Sequence, residues 1–128
     1  MDDPGEAVGG TEADAARMVG EWLDLARTRS GDLGWSLIYP IDQRDLIGSF
    51  EVYEAAVVAA DWTDFAYDIP DVRTTDGEYR VTVRLLGGVE SVPQFMLDWG
   101  LIQTTGATGT ITVRIAPGGF PRGIQGTG

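Results

Sequence analysis

The sequence predicts an α+β fold in which three N-terminal helices pack on one face of a curved four-stranded antiparallel sheet. Three observations carry this. Apolar residues recur at helical spacing from Ala15 to Ala60. From Trp62 onward the period changes to strand alternation, which persists to Ile115. Turn residues at Asp76-Gly77, Gly87-Gly88 and Thr104–Gly109 then cut the stretch Asp61–Ala116 into strand-length pieces.

Taken in order, residues 1–10 show no periodicity and read as a flexible tail, trimmed of something upstream. The domain proper spans 11–116. Thr11 and Asp14 form an acidic variant of a capping box. The first helix follows with Ala15, Val19, Trp22, Leu23 and Ala26 as its stripe, and Ser30-Gly31 ends it. Asp32 caps a short second helix, LGWSLIYP, which Pro40 stops near Tyr39. Asp42 opens a turn, QRDLIG. Ser49 caps a third helix with Phe50, Tyr53, Ala56, Val57 and Ala60 on one side.

Phe65, Tyr67 and Ile69 begin the sheet, and Pro70 makes this strand an edge or ends it. Asp76-Gly77 is a hairpin turn. Tyr79, Val81, Val83 and Leu85 alternate with charged or hydroxyl residues in the second strand. Phe95, Leu97, Trp99 and Leu101 read as a third strand, although Phe95 and Trp99 also fit a short helix. Ile111, Val113 and Ile115 mark the fourth. Residues 117–128 form an irregular Gly/Pro-rich tail with Ile124 tucked against the body.

Among 128 residues there is no cysteine and no histidine, which removes disulfides, thiol chemistry, the commonest metal ligand and the usual neutral-pH base. The net charge is −11, and it is uneven. Residues 1–71 hold 16 acids and four arginines, giving −12, whereas residues 72–128 hold four acids and five arginines, giving +1. Such a balance disfavours nucleic acid and anionic membrane surfaces. Lysine and asparagine, both with AT-rich codons, are absent, which fits a GC-rich bacterial genome.

Element order and one pattern, Gly31-Asp32-x-x-Trp35-x-x-x-x-Pro40, together with the Trp62-Thr63-Asp64-Phe65 entry to the sheet, resemble the nuclear transport factor two-like cone. That superfamily includes ketosteroid isomerase and scytalone dehydratase. The chain is similar in particular to the branch found in actinobacterial lipoproteins and in extracytoplasmic domains beside a membrane anchor. The resemblance covers roughly residues 11–116. It implies a strongly bent sheet wrapped round a long helix, an interior hollow and an extracytoplasmic location.

Enzymes of the superfamily place an acid, a histidine or a tyrosine in that hollow. The absence of histidine excludes a His–Asp base. The strand register turns Asp64, Asp68 and Asp98 away from the apolar face, leaving no catalytic residue to assign. Asp61, Asp64, Asp68 and Asp71 would make a carboxylate stripe on a helix, but strand geometry spreads them, so no metal site and no cofactor are expected. Trp35, Tyr39, Tyr53 and Trp99 are the candidates for lining a pocket.

The expectation is a non-catalytic binding or interaction module, the soluble part of an exported or membrane-anchored bacterial protein. Its partner would be an unidentified protein or a small apolar ligand. Two alternatives stand beside it. One is a small isomerase- or cyclase-type enzyme with a Tyr–Asp pair. The other is a homodimer formed through an outer sheet face of Arg80, Thr82, Arg84, Thr112 and Arg114.

Overall fold

The computed structural model describes the backbone of residues 4–28 and 31–126, and side-chain surroundings for residues 12–28 and 34–126. It is an α+β arrangement of five helices and an antiparallel sheet. The sheet has five strands, one more than expected.

Helix α1 runs from Pro4 to Arg27, so it starts seven residues before Thr11 and takes in residues 4–10. Pro4 needs no helical N–H partner at the first turn. Extending an existing helix avoids the cost of a new nucleus. Ala15, Val19, Trp22, Leu23 and Ala26 are each 0% exposed, as one stripe at helical spacing requires. Burying side chains such as Trp22 and Leu23 stabilises by about 1.5–3 kcal/mol apiece. The stripe packs across β1, β2, β4 and β5. Three hydrogen bonds from β1 side chains fix the crossing. Tyr67 donates its hydroxyl toward the Gly20 carbonyl at 3.1 Å and the Asp24 carboxylate at 3.0 Å. Thr74 donates to Glu12 at 2.5 Å.

Helix α2 (Gly31–Ser36) ends before Tyr39, because Ile38 leaves it to form a parallel bridge with Ile124. The Tyr39 amide donates to the Ile124 carbonyl at 2.7 Å, and the Ile124 amide to Leu37 at 2.8 Å. The expected turn QRDLIG is instead α3 (Pro40–Asp42) running into a π-helical turn, Gln43–Ile47. The caps expected from Thr11 and Asp32 lie outside the described side chains. Helix α4 (Phe50–Ala59) begins as expected, with the Ser49 hydroxyl accepting from the Val52 amide at 3.3 Å.

The strands are β1 (Tyr67–Thr75), β2 (Glu78–Leu85), β3 (Gln103–Thr105), β4 (Thr108–Ile115) and β5 (Pro121–Gln125). The order is β1-β2-β4, with β3 and β5 sharing the far edge of β4. β1 is an edge strand, and Pro70 sits in its register shift between Asp68 and Asp71, where no ladder donor is needed. Asp76 and Gly77 close the first hairpin, Gly77 with φ 78°. Tyr79, Val81, Val83 and Leu85 face the helices, as their alternation requires.

Two segments differ from the expected strands and coil. Residues 94–98 form helix α5 (Gln94–Asp98) in place of a third strand. The four-residue spacing of Phe95 and Trp99 prevailed over a short stretch of alternation, and Pro93 sets the start. The C-terminal tail supplies β5: Ile124 is 0% exposed, β5 packs against α1, and its backbone pairs with the free edge of β4.

Candidate functional site

Tyr53 stands at the centre of the helix side. It projects from α4 into the body and is 0% exposed. Its hydroxyl accepts a 2.8 Å hydrogen bond from the indole N–H of Trp22 on α1. Burial pushes its pKa up to about 12, against the opposing pull of that indole donor. Three rings surround it. Trp35 lies 5.5 Å away between centroids, Phe95 6.3 Å at a right angle, and Trp99 6.5 Å in a stacked arrangement. Phe50 continues the row against Trp35 at 6.1 Å. Such pairs contribute about 0.5–1.5 kcal/mol each beyond the area they bury.

Of the four pocket candidates, three therefore meet: Trp35, Tyr53 and Trp99 touch through Tyr53. Tyr39 lies apart. Its ring is covered by Arg114, 5.0 Å from the centroid, and Arg122, 5.6 Å away. Nearby, burial raises the pKa of Asp42, while the Gly126 amide and Arg114 pull it back.

A cleft of about 510 Å³ opens beside this cluster, between the C-terminal end of α4 and the segment 90–95. Ala56, Ala59 and Ala60 form one wall, and Val92, Pro93 and Phe95 the other. Asp61, Asp64 and Glu90 add exposed carboxylates to its lining. Its shape follows from local chemistry. The Trp62 indole donates to the Val57 carbonyl at 3.0 Å, satisfying one of the orphan acceptors at the end of α4. Asp61 accepts from the Thr63 amide at 3.0 Å, turning the chain after the helix. Trp62 then packs edge-on against Phe95 at 5.9 Å, which sets the spacing of the two walls. Gly87 is required here, since a Cβ on it would stand 1.9 Å from the Asp64 carbonyl.

None of the four pocket candidates lines this cleft. Sequence reasoning missed Val92 and Pro93 altogether and placed Phe95 on a strand. The available signal was α4 itself, FEVYEAAVVA, whose only charged residues are Glu51 and Glu54. Its outer side leaves Val52 47% and Val58 52% exposed.

The expected sheet acids are distributed along the surface. Asp68 pairs with Arg84, and that pairing raises the arginine pKa further. Asp71 pairs with Arg73 at 3.0 Å, and Asp98 accepts from Gln94 at 2.9 Å on the exposed side of α5. Among the described residues, no group of three or more acids is placed to hold a metal ion. No helix among them is long and apolar enough to cross a membrane. On the outer sheet face a second groove runs between Arg73, Arg80, Thr82, Gln103, Thr110 and Thr112.

The fold and the cleft define an α+β domain with a binding-sized recess at one end of a helix. No protein-family model matches the chain, and neither a curated protein nor a solved structure matches it.

Proposed function

We propose that this chain is a non-catalytic binding or interaction module built on the nuclear transport factor two-like cone. In this reading it is the soluble part of an exported or membrane-anchored bacterial protein. One observation carries the binding reading: the apolar-walled cleft lies beside a sealed aromatic cluster. The phenol an isomerase would need, Tyr53, is fully buried and occupied by the Trp22 indole. The open volume is walled by alanine, valine, proline and phenylalanine side chains, with Asp61, Asp64, Glu90, Ser91 and Gln94 adding polar groups, a mixture that suits a recognition site. The cone and the extracytoplasmic location rest on the resemblance of the Gly31–Pro40 and Trp62–Phe65 motifs.

A screen of small aromatic fragments followed by amide NMR tests this. The expected shifts cluster on residues 56–64 and 90–95. Turnover of an enone or epoxide substrate that is lost in Tyr53→Phe would contradict the proposal.

A second reading is pairing of two copies through the outer sheet face. Arg73 and Arg80 oppose each other across the β1–β2 pair, each held by an acid of its own strand. The groove beside them, rimmed by threonines, offers hydrogen-bonding groups to a twin surface. Light scattering that reports a monomer at every concentration would exclude it.

A further inference from the structure

We propose that the cleft and the outer side of α4 together dock a basic amphipathic segment of a partner protein, a strand or helix with apolar residues on one side and lysine or arginine beside them. This deepens the binding-module reading and rests on it.

The first observation is the apolar area. Val52, Ala55 and Ala59 lie at i, i+3 and i+7 on one stripe of α4, all exposed, with Val58 next to them. Ala59 also lines the cleft. The stripe is therefore continuous with the cleft wall. It extends for most of a helix about 15 Å long, more than a small molecule in the cleft would cover. The opposite side of α4 supplies Tyr53 and Val57 to the core, and Val52, Ala55 and Ala59 stay exposed among the described residues.

Charge is the second observation. From Asp45 to Val72 and from Leu85 to Val113 the sequence contains no basic residue. These segments build α4, both cleft walls and α5. Asp61, Asp64 and Glu90 line the cleft, and Glu51 and Glu54 flank the exposed stripe. An occupant that combines apolar side chains with cations complements this surface, and an acidic peptide or an anionic lipid is repelled. The geometry matches the mode in which an amphipathic element lays its apolar side into a groove while rim charges steer it.

The test uses the whole chain and a leucine–lysine amphipathic helix, titrated by calorimetry at low salt. Because the protein is acidic overall, two comparisons are needed. One is a cleft variant, Asp61→Asn with Asp64→Asn and Glu90→Gln. The other is a remote variant of equal charge, Asp14→Asn with Asp71→Asn and Asp76→Asn. A lysine–serine peptide tests the apolar half. Saturable binding is expected, weakened at least tenfold in the cleft variant and for the lysine–serine peptide, and changed less than about twofold in the remote variant. Equal weakening in both variants would reduce the effect to net charge and overturn the proposal. Equal binding of the two lysine peptides, or no binding, would also overturn it. Neutral fragments seated in the cleft without any response to the peptide would sink this inference and leave the binding module standing.

Discussion

Helices α1 and α4 use their apolar residues in opposite ways. On α1 the buried stripe is backed by Glu21, Asp24 and Arg27, all exposed. The apolar positions of that stripe are covered by the sheet and, at Trp22, by α2 and α4. Helix α4 is apolar nearly all round, yet only Tyr53 and Val57 are buried. Among the described residues the outer side of α4 stays exposed, which is the surface the docking proposal uses. The comparison separates residues that make the fold from residues that the fold leaves available.

The largest expected effect lies on α1. Trp22→Ala removes a fully buried indole and strips the Tyr53 hydroxyl of its donor. A loss of about 3–5 kcal/mol in denaturant-derived stability is expected. A loss under about 1 kcal/mol would mean that α1 is not the rod on which the sheet closes. Next comes Tyr53→Phe, which keeps the ring cluster but leaves the Trp22 N–H unpaired. About 1–3 kcal/mol should be lost.

Alkaline titration sharpens the same side. Burial, with a hydrogen bond to Asp24, raises the Tyr67 pKa to about 12, and burial raises Tyr53 to about 12. Both folded values exceed the ordinary tyrosine value of 10.0. Below that value folded and unfolded chains hold these protons alike, and the stabilisation is complete. Between about 10 and about 12 the unfolded chain releases them first, so stability should fall as pH rises. Tyr53→Phe should flatten that fall, as read from unfolding midpoints across the range. An unchanged slope would place the phenol in contact with water.

The smallest effect is at Asp42, whose carboxyl is raised by burial. That stabilisation exists below the unfolded pKa and is lost as pH rises through the folded one. At neutral pH the charge is therefore a modest cost. Asp42→Asn keeps an acceptor for the Gly126 amide, 3.3 Å away, and should raise stability slightly at neutral pH, as read from the denaturant midpoint.

Much of this architecture was legible in the chain. The α1 stripe, the Ser49 cap, the Asp76-Gly77 hairpin and the burial of β2 follow from period and turn chemistry. The misreadings have physical causes. At 93–101, Phe95, Leu97 and Trp99 satisfy alternation and helical spacing together, and packing against Tyr53 and Trp62 decided for the helix. β5 could not be read from a Gly/Pro-rich tail because its strand character comes from the waiting edge of β4. For the site, aromatic spacing alone does not separate a pocket wall from a packed interior: Tyr53 is the hub of a packed cluster and Tyr39 is covered by two arginines. The cleft is made of alanines and a loop, and only the folded chain brings them together.

The central proposal is that the outer side of α4 serves a partner. A paired measurement on Val52→Ser with Val58→Ser tests it: unfolding by denaturant, and titration with the leucine–lysine helix. Stability within about 0.5 kcal/mol per site of the parent, with affinity at least tenfold lower, is the expected result. A drop of several kcal/mol with affinity unchanged would contradict it.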